Sequence, residues 1–209
     1  MIKKVLIALV IAATASGAAF AEIRMSAGAG GSMDMGRIGG MSVDFEGVKM
    51  SSNVYHTGFG GFVFLDATYV EFSTAFMFGP TGTTVNLGPI TMTGEGSFMS
   101  LDFGLLGRFP FELGAGNISV FPLLGVGYSL VLSTEDPDGN KLDKPGDFSS
   151  FRIMAGVGAD FDIGSGLFIR AQALGRYSFA PKVIRENGDQ SNVNGGFGAL
   201  ARVGLGFRF

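Results

Sequence analysis

Apolar residues occupy every second position through the last thirteen residues of the chain. Between Phe197 and Phe209 the odd-numbered positions are all apolar, and glycine, arginine and leucine occupy the positions between them. Successive side chains of a β-strand point to opposite faces, so this period of two predicts a strand with one apolar face. The predicted strand is longer than a typical strand of a soluble protein. Any fold for this chain must therefore put the apolar face in contact with an apolar environment and account for the environment of the opposite face.

Alternation of this kind recurs in eight segments. They span residues 22–32, 57–66, 68–78, 97–108, 118–132, 151–162, 167–179 and 197–209. Seven of them have one face nearly free of charge. The facing of the segment 57–66 stays open, because apolar residues occupy both of its faces. Pro122 lies near the start of the fifth segment, where we expect a bulge or a delayed start of pairing because proline lacks the N–H that a ladder needs.

The connections between the segments alternate in length. Long stretches connect them at about 33–56, 79–96, 133–148 and 180–195, and short turns occur at 66–67, 109–117 and 163–166. The long connections therefore all fall at one end of the predicted sheet. The first two, which contain "MSVDFEGVKM" and "TTVNLGPITMT", are less polar than most loops and could form hairpins that extend the sheet.

The first 21 residues have the features of a secretory signal peptide. Lys3 and Lys4 precede the apolar run "VLIALVIAA", and residues 19–21 form a small-residue cleavage pattern. This run is shorter than the roughly 20 residues of a membrane-spanning helix, and no later run approaches that length. Residues 22–209 then form one mature domain. The chain has no cysteine, which excludes disulfides and thiol chemistry, and its formal net charge of −3 predicts no nucleic-acid partner.

The charged residues of the strands fall on the face opposite the apolar one. They are Arg24, Glu71, Asp102, Arg152, Asp160, Arg170, Arg176 and Arg202. A sheet survives in lipid only as a closed barrel, and a soluble barrel would have the reverse polarity. The sequence therefore predicts an all-β fold, an eight-stranded antiparallel up-and-down transmembrane β-barrel that follows a signal peptide. The interior of eight strands is narrow, so we expect these residues to form a packed lumenal charge network rather than a gated pore.

The mature chain resembles the small eight-stranded outer-membrane barrels of diderm bacteria, of the OmpA transmembrane-domain, opacity-protein and OmpW type. The resemblance depends on the architecture and on the alternating Val203, Leu205, Phe207 and Phe209 at the C-terminus. It implies an integral protein of the bacterial outer membrane, exported by a cleaved signal peptide. It also implies that these four residues are the signal for the barrel-assembly machinery, and that outer-membrane lipid, this machinery and periplasmic chaperones are partners. No peptidoglycan-binding domain follows the barrel before Phe209, so we expect no role in wall anchoring.

Two functions remain open from the sequence. One is a structural or surface-interaction role, adhesin-like, in which four long extracellular loops bind a host or matrix ligand. The alternative is a narrow channel or transporter, either for small hydrophobic molecules or for small solutes with a preference for anions because of the lumenal arginines. The sequence leaves the oligomeric state undetermined.

We expect no enzymatic activity and no cofactor. The single histidine, His56, lies near Ser51 and Ser52 in the first long connection, where a solvated side chain is expected. The third connection has the spacing of a calcium loop at four residues: Asp136, Asp138, Asn140 and Asp147. Lys141 replaces the glycine that such a loop requires, so an acidic turn is the favoured interpretation and a divalent-cation site is the alternative.

Overall fold

The computed structural model describes residues 24–45, 48–113, 117–136, 139–179 and 193–209. The predicted signal peptide and most of the fourth connection lie outside these residues. The strands are β1 (Met25–Phe45), β2 (Val48–Ala67), β3 (Val70–Leu87), β4 (Ile90–Arg108), β5 (Phe111–Leu113), β6 (Ile118–Glu135), β7 (Ser150–Gly164), β8 (Leu167–Ser178), β9 (Val193–Asn194) and β10 (Gly196–Arg208). A 3₁₀ helix, Pro145–Phe148, precedes β7. In the described part of the chain, no helix has the length and apolar character needed to cross a membrane.

The eight long strands form one closed sheet. Each pairs antiparallel with the next in the order β1, β2, β3, β4, β6, β7, β8 and β10. β10 then pairs with β1, from Ser26 opposite Arg208 to Gly36 opposite Gly198. The short strands β5 and β9 extend the pairing of β6 and β1. This topology confirms the predicted eight-stranded antiparallel up-and-down barrel, and closure leaves no sheet edge in the barrel wall.

The two faces of the wall have the predicted polarity. Val70, Phe72, Val157 and Val203 are exposed on the outside of the barrel. Their neighbours along the strands, such as Glu71 and Arg202, are buried in the interior. The facing of β2 is also settled by the structure. Phe62 and Phe64 are buried in the interior, and Val63 and Leu65 are exposed on the outside. Apolar side chains therefore surround the barrel, while polar and aromatic side chains fill it.

The first two long connections are strands rather than loops. β1 and β2 continue as a hairpin to Phe45 and Val48, and β3 and β4 continue to Leu87 and Ile90. The predicted loops 33–56 and 79–96 were therefore wrong in their boundaries, and the hairpin interpretation is confirmed. The physical reason is that a tight turn at Gly88, with φ +60°, allows pairing up to the tip. A bulge in β1 between Arg37 and Gly39 shifts the register with β2.

Two smaller predictions change in detail. The β2–β3 turn lies at Thr68 and Tyr69, two residues later than predicted, and the predicted turn 109–117 contains the strand β5. Pro122 lies inside β6, and its pairing with β7 passes through it without a register shift. Pairing of β6 with β4 starts only at Leu123. On the same side Ile118 to Val120 already pair with β5, so pairing is interrupted at Phe121 and Pro122 rather than delayed, and the expected bulge does not occur.

Aromatic residues surround the barrel near both ends. At the end with the long hairpins, which we call the outer end, Tyr128 packs against Phe151, and Tyr177 packs 4.9 Å from Phe197 between ring centroids. At the opposite inner end, which has the short turns, Tyr69 packs against Phe109. Belts of aromatic residues at two levels mark the interfaces of a membrane with water.

Glycines inside the barrel make room for phenylalanine rings. A Cβ atom on Gly158 would overlap the ring of Phe121, and one on Gly206 would overlap the ring of Phe168. Both rings are completely buried. The many lumenal glycines therefore leave little open space, because aromatic rings from other strands cover them.

We expect Gly158→Ala to lower the free energy of unfolding by about 1–3 kcal/mol, because the new methyl group overpacks against Phe121. Gly175→Ala is the matched control, since its Cβ would lie on the outside in ordinary contact with the oxygen of Ala155. Urea unfolding of the refolded barrel, followed by circular dichroism, measures both. An equal cost for the two variants would contradict the packing described.

Candidate functional site in the barrel interior

Arg170 of β8 lies at the centre of a buried ionic cluster near the inner end. Its Nε donates to Oδ1 of Asp160 at 2.7 Å, and its Nη2 donates to Oδ2 at 2.8 Å. Its Nη1 donates to Oε2 of Glu71 at 2.9 Å and also to Asp66. Two parallel bonds to one carboxylate give this pair a fixed geometry as well as strength. One guanidinium therefore joins carboxylates from β2, β3 and β7.

Two more arginines complete this inner cluster. Arg108 at the end of β4 donates to Asp66 and, at 3.2 Å, to Oδ2 of Asp160. Arg208 at the end of β10 donates to Asp162 and, at 3.3 Å, to the same oxygen of Asp160. Strands from opposite sides of the barrel are thus connected through shared carboxylates.

Aromatic rings surround the guanidinium groups. The Cζ atom of Arg170 lies 4.3 Å from the ring centroid of Phe64 and 5.0 Å from that of Phe168. Arg108 lies 4.2 Å from the centroid of Phe121. Cation–π contacts of this kind stabilise a desolvated cation without a second anion. They also fill the cross-section of the barrel between the charged groups.

A second cluster lies nearer the outer end. Arg176 of β8 donates through Nε to Oδ1 of Asp34 at 2.8 Å, and its Nη2 lies 2.7 Å from Nε2 of His56. Arg152 of β7 donates to Oδ2 of Asp102 at 2.7 Å and lies 3.5 Å from Asp34. The hydroxyls of Ser100 and Ser129 donate to Oδ1 of Asp102. Asp34 therefore joins two arginines across the interior.

Arg202 of β10 is buried and is bonded differently from the other lumenal arginines. Its Nη1 donates to the hydroxyl of Ser73 at 3.0 Å, and its Cζ lies 5.1 Å from the ring centroid of Phe62. Within the described ranges it forms no ion pair at 4 Å or less. It is held by a hydroxyl and an aromatic ring instead.

The structure places the eight predicted network residues in two environments. Seven of them are buried in the interior: Glu71, Asp102, Arg152, Asp160, Arg170, Arg176 and Arg202. Arg24 is exposed at the rim of the inner end, so the prediction that it joins the network was wrong. The physical reason is that Arg24 precedes β1, whose pairing with β2 starts at Met25, and the interior ends there.

Four buried titratable residues were missed from the sequence: Asp34, His56, Asp66 and Arg108. The solvated environment expected for His56 was wrong, because its side chain lies between Asp34, Arg176 and Phe98. The signal was present in the alternation. Asp34 lies an even number of positions after Ser26 on β1, and Arg108 lies an even number of positions after Asp102 on β4. Each pair therefore shares the inward face of its strand.

The interior is balanced in charge and largely filled. Among the described residues, five arginines and five carboxylates are buried. Two clusters of buried apolar side chains, one around Phe62 and Phe168 and the other around Phe121 and Leu174, occupy further space in the interior. A cavity of about 390 Å³ lies at the inner end, and one of about 20 Å³ lies at the outer end. A closed sheet with an apolar exterior and a polar interior is suited to one environment, a lipid bilayer.

The chain has the architecture of an outer-membrane β-barrel. Ail, the attachment invasion locus protein of Yersinia pestis solved with the heparin analogue sucrose octasulfate, matches this barrel with a TM-score of 0.39 and 14% identity over 88% of this chain and 99% of its own. Neisserial surface protein A matches with a TM-score of 0.42 and 12% identity over 88% and 97%. A major outer membrane protein from Thermus thermophilus matches with 0.45 and 15% over 87% and 99%. No model of a protein family matches the sequence, and no curated protein matches it.

The C-terminal residues of this barrel lie on its apolar outer surface. Val203, Leu205, Phe207 and Phe209 are all exposed on the outer surface of the closing strand or just after it. They are therefore accessible from the side of the barrel, at the seam between β10 and β1.

The third connection of the barrel contains a hydrogen-bonded turn. The backbone N–H of Asn140 donates to Oδ1 of Asp136 at 2.8 Å, and Asp147 lies in the 3₁₀ helix. Asp138, which the calcium-loop spacing requires, lies outside the described residues. No group of three or more His, Cys, Asp or Glu side chains in the described ranges is arranged to hold a metal ion.

We expect Arg170→Met to lower the free energy of unfolding by about 3–5 kcal/mol, because it leaves three buried carboxylates without their shared cation. Arg202→Met is expected to cost less, since among the described residues its side chain donates to the hydroxyl of Ser73 and forms no ion pair. Arg24→Met, at the exposed rim, is expected to have no measurable effect. Urea titrations in lipid vesicles, scored by heat-modifiable gel mobility, rank the three variants. An equal cost for Arg170→Met and Arg24→Met would contradict the proposed network.

Proposed function

We propose that this protein is a sealed, non-enzymatic barrel of the bacterial outer membrane with a structural or adhesin-like role at the cell surface. The observation that carries the proposal is the continuation of four strands beyond the outer aromatic belt. Residues 37–45 of β1, 48–57 of β2, 79–87 of β3 and 90–96 of β4 form this sheet, which we call the extension.

The polarity of the extension is opposite to that of the barrel wall. On β4, Thr91, Thr93 and Glu95 continue the face that carries the lipid-exposed Met99. Ile90 and Met92 continue the face of the buried Phe98, and both are 58% exposed. A polar outer face is incompatible with lipid, so this sheet stands in water beyond the membrane.

The apolar face of the extension is the favoured surface for a partner. Ile90 and Met92 are joined on this face by Met50 of β2, which is also exposed. Exposed large apolar side chains grouped on one sheet face are typical of interaction sites. This surface takes the place of the first two of the four long extracellular loops that the sequence predicted for the same role.

The filled interior favours the surface role over the channel. Arg170, Asp160 and the phenylalanine rings around them occupy the cross-section near the inner end. A conducting pathway would need to separate these pairs, which is costly in a medium of low polarity.

The contacts of His56 support a role without catalysis. Its Nε2 is engaged by the guanidinium of Arg176, and the hydroxyl of Ser51 accepts a hydrogen bond from Asn86. A hydrolase would require a serine hydroxyl within hydrogen-bond reach of the imidazole, and the nearest bonded partner of this ring is a guanidinium instead.

Assembly of the barrel is proposed to use the lipid-facing C-terminal residues. Val203, Leu205, Phe207 and Phe209 lie on the strand that must pair with β1 to close the cylinder. We propose that the barrel-assembly machinery recognises this edge before closure, after periplasmic chaperones have delivered the exported chain.

Trimming the extension tests the surface role. In the first variant, an Asn-Gly turn replaces residues 82–95, so that Thr81 and Gly96, which are paired, become the last pair of the β3–β4 hairpin. We expect cells displaying this variant to lose at least tenfold in adhesion to wells coated with extracellular-matrix proteins, because the apolar face is removed.

The matched variant keeps the length of the hairpin and changes only its apolar face, as Ile90→Thr with Met92→Thr. It is expected to lose adhesion to a similar extent while surface display and heat-modifiable mobility stay unchanged. Full adhesion by both variants at equal display would reject the extension as the interaction surface.

A further inference from the structure

A small cavity at the outer end of the interior is lined by hydrogen-bond donors. Its volume is about 20 Å³, and it lies beneath Phe148 of the 3₁₀ helix. The polar side chains that line it are His56, Ser129, Ser150, Arg152, Arg176 and Ser178. No carboxylate of the described residues lines it. This is a different region from the inner cluster around Arg170.

The contact of Arg176 with His56 fixes the tautomer of the imidazole. A guanidinium has no acceptor, so we assign the 2.7 Å contact between Nη2 and Nε2 as a hydrogen bond that Nε2 accepts; Oδ2 of Asp34 lies farther from this nitrogen, at 3.6 Å. The proton of the neutral ring then lies on Nδ1, which is buried without a hydrogen-bond partner in the described part of the protein. His56 is 5% exposed, so solvent does not compensate this donor.

Arg152 supplies a second unpaired donor. Its Nη1 is bonded to Asp102, but its Nε is buried and has no partner among the described residues. The side chain of Arg152 is 11% exposed. Two residues that line one cavity therefore each carry a buried nitrogen without a hydrogen-bond partner in the described part of the protein, and leaving such groups unmatched is costly.

The nearby carboxylates are already engaged. Oδ1 of Asp34 accepts from Arg176, and Oδ2 of Asp102 accepts from Arg152. The hydroxyl of Ser178 accepts from Arg176 at 2.6 Å, so its own proton is free to donate. Two donors on residues that line the cavity, Nδ1 of His56 and Nε of Arg152, thus have no acceptor among the described residues.

We propose that this cavity binds a single halide ion, of which chloride is the physiological example. A site of about 20 Å³ holds one water-sized particle and excludes phosphate, sulfate and carboxylates. A halide only accepts hydrogen bonds, which matches the two unpaired nitrogens. A water molecule would also accept from both nitrogens, but it would need acceptors for two protons of its own. The ion joins His56 of β2 to Arg152 of β7 and so connects opposite sides of the barrel.

Bromide is a suitable probe because its anomalous scattering distinguishes it from water. Crystals of the full refolded barrel grown in sodium bromide are expected to show one anomalous peak in this cavity, within hydrogen-bond distance of His56 Nδ1 and Arg152 Nε. A water molecule at this position, or no peak there in data that reveal bromide elsewhere, would overturn the proposal. This experiment uses the unchanged chain and does not depend on the stability of a variant.

Unfolding measurements test the same site in solution. The urea midpoint of the wild-type barrel is expected to rise as sodium chloride replaces sodium gluconate at constant ionic strength, since a ligand that binds only the folded state stabilises it. His56→Phe and Ser178→Ala are expected to lose most of this chloride-dependent shift.

Ser100→Ala is the matched control for these variants. Like Ser129, Ser100 donates to Asp102, but it does not line the cavity. It is expected to keep the full chloride-dependent shift, whatever its own stability. A shift of equal size in all four proteins, or no shift in the wild type, would reject the halide site.

Discussion

The pairing of Arg170 with Asp160 is the interaction on which the rest of the barrel depends. Both side chains are completely buried. Arg170 also donates to Asp66 and Glu71, and Asp160 also accepts from Arg108. A buried charge that loses its partner is strongly destabilising. Each strand must therefore place its charged residue at the level of that residue's partner along the barrel axis. Because side chains alternate, a slip of one position would turn a charged residue towards lipid. The ionic clusters therefore specify the register of the closed sheet.

The lipid outside imposes the complementary constraint. Each strand in the wall carries apolar residues on its outer face, and β10 closes the cylinder against β1 so that no edge remains. Above the outer aromatic belt the constraint reverses, and Ile90 and Met92 share a face with the interior while threonines face outwards. The same strands thus face lipid in the barrel wall and water in the extension. The change of polarity along β4 marks the boundary between these two parts.

The sequence predicted most of this architecture because one period explains every strand. The inward facing of Glu71, Asp102 and Arg176 follows directly from alternation with apolar neighbours. His56 and Asp34 were assigned to a loop because polar residues interrupt the pattern there, although pairing between β1 and β2 continues. Which carboxylate meets which arginine was beyond sequence reasoning, since Asp34 and Arg176 meet across the barrel and are 142 positions apart. That pairing depends on the stagger of eight strands together.

The central claim is that the interior of this barrel is an ionic and aromatic core without a conducting path. Single-channel recording of the purified wild-type protein in planar bilayers tests it most directly, with its heat-modifiable mobility as evidence of folding. The account predicts no discrete conductance steps from folded protein at either polarity. Reproducible steps of one size, scaling with the number of inserted folded barrels, would contradict it.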